Sequence, residues 1–229
     1  FAADCEQLFS QSEVEVQPCA EAILSLVRKG PRGRLFLLLL EHTVVADEEF
    51  EHEMTALRRE QLVAPSSLEL CCALAQQCFL NEYVWPETEE EAAALSRLGS
   101  SAKTPLELAT LGMYRSLSGK EKPRDGGEPF ERLWRRLVEE PAKELALGVE
   151  RLTSVEDDVS QRVQAQYEAN PYPRWQRAPV PGPFPLARLL RSLFPYIEAA
   201  KLAAPDAPRI LVAGCGTGRH AAVTAQLNP

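Results

Sequence analysis

The sequence predicts a mainly α protein, in which an N-terminal helical domain is followed by the first strand and helix of an α/β domain. Three observations lead to this prediction. Helix-capping signals recur through the first two-thirds of the chain, a proline-dense stretch follows, and near the end a short apolar run leads into alternating glycines. They divide the chain into a helical domain over residues 1–153, a connecting region over 154–207 and the beginning of an α/β domain over 208–229.

The early helices are predicted from residues that cap helix ends. Asp47 and either Ser66 or Ser67 stand where a side chain accepts a hydrogen bond from the first turn of a helix. The clearest signal is Thr104-Pro105-Leu106-Glu107, a capping box with proline at the first helical position. The predicted helices cover 19–29, 48–63, 68–81, 87–98, 105–117, 130–139, 141–152 and 155–169.

The arrangement of these helices stays open between a compact domain and a solenoid, because no fixed period with recurring residues is present. Residues 119–128 lack an apolar anchor and are predicted to form an exposed loop. Arg132, Arg135 and Arg136 follow that loop and are expected to form a solvated helix face.

Composition is typical of a soluble globular protein, with 229 residues of which 45% are hydrophobic and 25% charged. The net charge of −8 argues against nucleic acid as a partner, since a phosphate backbone is held by a positive field. The longest apolar run, Leu35 to Leu40, is far below the roughly 20 residues that cross a bilayer, so no transmembrane segment is expected.

The six cysteines lack zinc-ligand spacing and contain no Cys-x-x-Cys pair, so we expect reduced thiols and no metal site. Cys71, Cys72 and Cys78 are expected to be small buried residues of one helix. The expected location is the cytoplasm. Because the first residue is Phe1, an organelle interior reached with a removed targeting peptide stays open.

Proline density between Asn170 and Pro185 predicts an extended linker, because proline is excluded from helix interiors and central strands. A helix over 186–203 is expected to follow. The run Ile210 to Ala213 then predicts a strand buried on both faces of a parallel sheet.

The predicted strand leads into Gly214-Cys215-Gly216-Thr217-Gly218, and a helix over 221–227 is expected next. Strand, glycine-rich turn and helix form the start of a βαβ unit. There glycines permit a tight turn and close approach of a ligand, and the helix N-terminus offers free N–H groups. Arg219 stands where a dinucleotide fingerprint has its third glycine, and the lysine of a Walker A loop is absent.

Over residues 209–227 this pattern resembles the first motif of the class I S-adenosylmethionine-dependent methyltransferases. The resemblance implies a Rossmann-like domain, S-adenosylmethionine as cofactor and a loop that packs against the methionine part of that cofactor. The cofactor-binding residues that it implies are Gly214, Cys215, Gly216, Thr217 and Gly218. Val212 departs from the family, because many members have an acidic residue there, and this puts the anchor for the cofactor's amino group in doubt.

The segment Gln166 to Trp175 resembles the pre-motif element of a bacterial-type group of methyltransferases that carry a helical or tetratricopeptide region. By that resemblance Tyr167 and Arg174, with Tyr172 and Trp175, cover the cofactor or acceptor pocket. The alternative is an aromatic-proline strap with a packing role only, and both interpretations stay open.

The resemblance implies a methyltransferase whose acceptor and catalytic residues the sequence does not name. Residues 208–229 hold only the first strand and helix of the expected domain, so activity is expected of the full-length protein and not of the chain as given. The alternative is a non-catalytic structural or assembly subunit that retains a methyltransferase-like remnant. Its protein partner would bind through apolar helix faces such as Leu35 to Leu40 or Phe79 to Trp85.

Overall fold

The computed structural model describes residues 1–11, 14–148, 156–169, 171, 174–178, 182–198, 201 and 208–228. Contacts divide the chain into two compact units. The first comprises Phe1–Ser10 and Val16–Gln166, and the second comprises Gln11–Glu15 and Tyr167–Pro229. The domain boundary predicted at residue 153 falls within 149–155, outside the described residues.

The first unit is built from short helices. They are α1 (Ala2–Ser10), α2 (Ala20–Val27), α3 (Arg34–His42), α4 (Glu48–Val63), α5 (Leu68–Leu80), α6 (Glu89–Ser101), α7 (Pro105–Gly112), α8 (Gly127–Trp134) and α9 (Glu140–Ala146). A 3₁₀ turn over Gln17–Cys19 precedes α2. Helix α10 (Asp158–Ala169) follows 149–155. No described helix is long and apolar enough to span a bilayer.

The predicted caps are confirmed at three helix starts. The Asp47 carboxylate accepts from the Phe50 N–H at 2.9 Å, and the Ser67 hydroxyl accepts from the Leu70 N–H at 3.1 Å. Thr104 and Glu107 form the predicted capping box. A second capping box, between Thr88 and Glu91, starts α6 two residues after the predicted position. Local hydrogen-bonding signals therefore located these helices well.

Helix α5 is the centre of the first unit and packs against α3, α7 and α8. Its buried side chains are Cys71, Cys72, Ala73, Leu74, Ala75, Gln76, Gln77, Cys78 and Leu80. A helix that is buried on nearly all sides must lie inside a bundle. The three cysteines therefore occupy the core position that the sequence predicted for them.

No bounds were predicted for helix α3, although Leu35 to Leu40, which lies within it, was expected to form an apolar helix face. Leu39 and Leu40 have no exposed surface and Phe36 is 2% exposed, so this run is core. Trp85 is also buried, at 5% exposure. The two apolar segments proposed as partner-binding anchors thus contribute their largest side chains to the interior of the first unit.

Two helices predicted separately, over 130–139 and 141–152, are joined in the structure: α8 continues through a π-helical turn over Arg135–Glu139 into α9, which ends at Ala146. Residues 149–152 of the second prediction lie outside the described residues. The Glu140 N–H donates to the Arg135 carbonyl, five residues back. Pro141 has no N–H and crowds the carbonyl four residues before it, which explains why α-helical hydrogen bonding is interrupted here.

The second unit contains α11 (Leu186–Leu193) and α12 (Arg219–Leu227). Asn228 joins them, because its side-chain oxygen accepts from the Leu186 N–H at 2.8 Å. The Phe184 N–H also donates to the Leu227 carbonyl at 3.0 Å. Helix α11 ends ten residues before the predicted position because Pro195 disfavours helical geometry in the residue before it.

The predicted strand is wrong, and with it the Rossmann-like part of the expected fold class: the structure has no strand in any part of the chain that it describes. Residues 208–212 follow an irregular path, and Leu211 is 89% exposed. A strand needs a neighbouring strand to pair its N–H and carbonyl groups and to cover its apolar faces. Without a neighbouring strand, this apolar segment is exposed. The described part of the fold is mainly α.

Candidate functional site

The glycine loop, Gly214 to Gly218, leads directly into α12. Gly214, Gly216 and Gly218 have φ angles of +65°, +54° and +82°, all in the left-handed region. The Gly218 N–H donates to the Cys215 carbonyl at 3.0 Å, which closes the turn. For residues other than glycine, such angles cost roughly 1–3 kcal/mol. Glycine is therefore required at these three positions by the backbone itself.

The surface above the loop is open. A Cβ atom added at any of these three glycines would meet no atom within 4 Å. Cys215 is exposed, and Thr217 is half-buried. The loop glycines thus leave their Cα atoms accessible to a bound molecule, and packing against the rest of the unit does not explain them.

The N-terminus of α12 lies at the end of the loop and carries no side-chain cap. Gly218 is the N-cap residue, and its carbonyl accepts from the Ala222 N–H at 2.9 Å. The N–H groups of a first helical turn have no partner inside the helix. They supply hydrogen-bond donors and a partial positive charge beside the glycine loop.

Trp175 connects the predicted pre-motif segment to the glycine loop. Its indole N–H donates to the Thr217 carbonyl at 3.0 Å, and its side chain is 37% exposed. Arg174 precedes it and is half-buried, whereas Tyr167 on α10 is 66% exposed. Tyr172 lies outside the described residues. Among the predicted pocket-covering residues, Trp175 therefore forms a hydrogen bond to the loop.

Two arginines tie Gln11, Val14 and Glu15 into the same unit, and no pattern in the sequence predicted these contacts. The Arg177 guanidinium donates to the carbonyls of Gln11, at 2.5 Å, and Val14, at 3.2 Å. Arg219, the first residue of α12, forms an ion pair with Glu15. Sequence separations above 160 residues explain why no local pattern could reveal these contacts.

These contacts make a junction of three segments, which we define as residues 14–15, 174–177 and 217–219. Trp175 fixes one side of the glycine loop through Thr217, and Glu15 holds the arginine that follows the loop. The junction therefore places an aromatic ring, a carboxylate and a guanidinium around an open loop.

The remaining candidate groups belong to the interior of the first unit. Burial raises the pKa of the Cys78 thiol to about 12, so this thiol is not a nucleophile at neutral pH. Of the three arginines expected to form a solvated face, Arg135 is exposed, whereas Arg132 pairs with buried Glu41 at 3.3 Å and Arg136 donates to Gln76 at 2.7 Å. Among the described residues no three His, Cys, Asp or Glu side chains could hold a metal ion together.

A buried polar network joins α4, α6 and the segment after α7. The guanidinium carbon of Arg58 lies 4.1 Å from the centre of the Tyr114 ring, and Arg58 donates to the Pro86 carbonyl at 2.6 Å. The Tyr114 hydroxyl donates to Glu91 at 2.7 Å. Because Arg58 and Glu91 are 1% and 3% exposed, this network stabilises the unit and presents no open surface.

No known protein family matches the sequence, and no curated protein or solved structure resembles the chain significantly. The resemblance to methyltransferases therefore depends on the chain's own residues alone.

Proposed function

We propose that the glycine loop binds the methionine portion of S-adenosylmethionine and that the protein is an S-adenosylmethionine-dependent methyltransferase. The observation that carries the proposal is the run of three left-handed glycines at alternating positions, with open space at each. Ordering such a run on folding is entropically unfavourable, since glycine loses more conformational freedom than any other residue. Close approach of a ligand to the backbone accounts for that cost.

The residues present fit the methionine end of this cofactor. Three accessible glycine Cα atoms allow an aliphatic chain to lie against the backbone, and the N–H groups of the first turn of α12 match a carboxylate. When bound, the cofactor supplies an electrophilic methyl group on its sulfonium. The loop residues hold and orient it, and the exposed Cys215 and half-buried Thr217 line the same turn.

Trp175 supports the proposal because its indole N–H holds the Thr217 carbonyl within the loop. An aromatic ring next to a sulfonium excludes water and offers its negative face to the positive charge. In the same proposal, Arg174 and Tyr167 cover the cofactor or acceptor pocket.

Titration calorimetry with S-adenosylhomocysteine on the full-length protein tests the proposal. Gly216→Asp should abolish saturable binding, because it adds both a strained φ and a negative charge at the loop. Gly148→Asp is the matched control, since Gly148 has the same φ of +54° and lies in the first unit. A Cβ atom added there also meets no atom within 4 Å. Binding by wild type and by Gly148→Asp, but not by Gly216→Asp, would support the proposal.

A second candidate function is a non-catalytic structural or assembly subunit. The observation that favours it is the exposed, irregular path of residues 208–212, which gives the glycine loop no strand beneath it. The same titration separates the candidates. A correctly folded full-length protein that binds no S-adenosylhomocysteine would support the subunit and contradict the enzyme.

A further inference from the structure

An arginine at the first position of α12 requires a physical explanation. The N-terminus of a helix carries partial positive charge, so a cation there is unfavourable unless an anion accompanies it. Arg219 has such an anion in Glu15, whose side chain is 18% exposed while that of Arg219 is 40% exposed. Glu15 comes from a segment more than 200 positions away, and Arg177 fixes that segment through the carbonyls of Gln11 and Val14.

The position of this ion pair links it to the glycine loop. Arg219 directly follows Gly218, and the preceding Thr217 carbonyl is held by Trp175. The guanidinium at the end of the loop therefore already has a carboxylate partner: the side chain of Glu15. A guanidinium presents a planar pair of donors that matches a carboxylate with two hydrogen bonds.

We infer that Glu15 is an internal substitute for the α-carboxylate of the bound amino-acid portion of the ligand, and that Arg219 exchanges Glu15 for that carboxylate on binding. This inference rests on the proposed function. Both side chains keep some contact with solvent, so the released Glu15 is hydrated at little cost while Arg219 stays paired throughout. Arg219 is then the residue that selects ligands with a carboxylate, and Glu15 is a positioning residue.

Two probes separate the amino-acid end of the ligand from the rest of it. S-adenosylhomocysteine carries the carboxylate, and 5′-methylthioadenosine has the same nucleoside and sulfur without it. Arg219→Gln in the full-length protein should weaken binding of S-adenosylhomocysteine by about tenfold to a hundredfold, the range of a charge-assisted hydrogen bond, and leave 5′-methylthioadenosine unchanged. Arg219→Lys should lie between Arg219→Gln and wild type, since it keeps the charge but loses the planar pair of donors.

Glu15→Gln is the complementary variant, because it removes the competing carboxylate. Its affinity for S-adenosylhomocysteine should rise by about two- to fivefold, as expected for a partly exposed ion pair, with 5′-methylthioadenosine again unaffected. Unchanged binding of 5′-methylthioadenosine also shows that each variant is folded. Equal changes for both probes, or no change for either, would overturn the inference and leave the proposed function standing. A wild-type protein that binds neither probe would overturn both.

Discussion

The indole nitrogen of Trp175 lies 3.0 Å from the carbonyl oxygen of Thr217, across 42 residues of sequence. This hydrogen bond joins the proline-rich segment to the turn that precedes α12. Thr217 lies between two left-handed glycines, Gly216 and Gly218, so the bond fixes a stretch of backbone that glycine leaves flexible. One aromatic side chain thus adds a restraint to the middle of this loop.

Trp175→Phe should loosen the glycine loop while keeping an aromatic ring in place. A neutral hydrogen bond contributes about 0.5–1.5 kcal/mol, and the partial exposure of Trp175 places it toward the lower end. We expect amide hydrogen exchange at residues 214–218 to accelerate by about two- to tenfold, measured by mass spectrometry. The amides of α5, in the other unit, serve as the internal control, and equal exchange at the loop in both proteins would show that the bond restrains nothing.

Cys215 should be the fastest of the cysteines to react with a thiol reagent in the folded protein. It is exposed, whereas Cys71, Cys72 and Cys78 are buried. Peptide mapping after brief treatment with iodoacetamide should find Cys215 modified and these three core thiols protected. If the glycine loop binds S-adenosylhomocysteine, saturating ligand should slow the reaction at Cys215. Rapid modification of the α5 thiols under native conditions would contradict the packing described for that helix.

Much of the first unit could be predicted from the sequence because its signals are local. The hydroxyl of Thr104 and the carboxylate of Glu107 act within four residues of each other, and the structure contains the capping box that they predict. The bounds of helix α3 escaped prediction for the opposite reason. Its run of consecutive apolar residues, Leu35 to Leu40, does not mark where a helix begins or ends.

The candidate site was predictable only in part, since its contacts are not local. The alternating glycines indicated a special turn, and all three adopt the left-handed angles that such a turn needs. The strand before them could not be judged from Ile210 to Ala213 alone, because a strand exists only with a partner. Glu15 gave no signal at all, since its relation to Arg219 appears only after folding.

Tyr114→Phe removes one oxygen atom and should destabilise the first unit markedly. The hydroxyl donates to Glu91, a nearly buried carboxylate, and a hydrogen bond to a charged group contributes about 1.5–3 kcal/mol. Urea unfolding followed by circular dichroism measures the loss. Tyr196→Phe is the matched control, because Tyr196 is 80% exposed and its change should stay within about 0.5 kcal/mol. Equal effects of the two substitutions would refute a structural role for the Tyr114 hydroxyl.

Compared with wild type, the Glu41→Gln variant should become more stable as pH rises. Burial raises the pKa of the Glu41 carboxyl in the folded state, and the neighbouring Arg132 offsets only part of this effect. Between the ordinary pKa of glutamate and the raised one, the folded state therefore binds more protons than the unfolded state. The contribution of Glu41 to stability is then greatest at low pH and falls as pH rises through that interval.

Urea midpoints of wild type and Glu41→Gln at pH 4.5 and pH 7.5 measure the difference directly. Other carboxylates contribute equally to both proteins, so the difference isolates Glu41. Glu107→Gln should show the opposite pH dependence of stability, because hydrogen bonds from the backbone N–H groups of Lys103 and Thr104 lower the pKa of Glu107. Its loss of stability should therefore be larger at pH 7.5 than at pH 4.5. A stability difference between wild type and Glu41→Gln that does not change with pH would mean that the ion pair with Arg132 fully offsets the burial of Glu41.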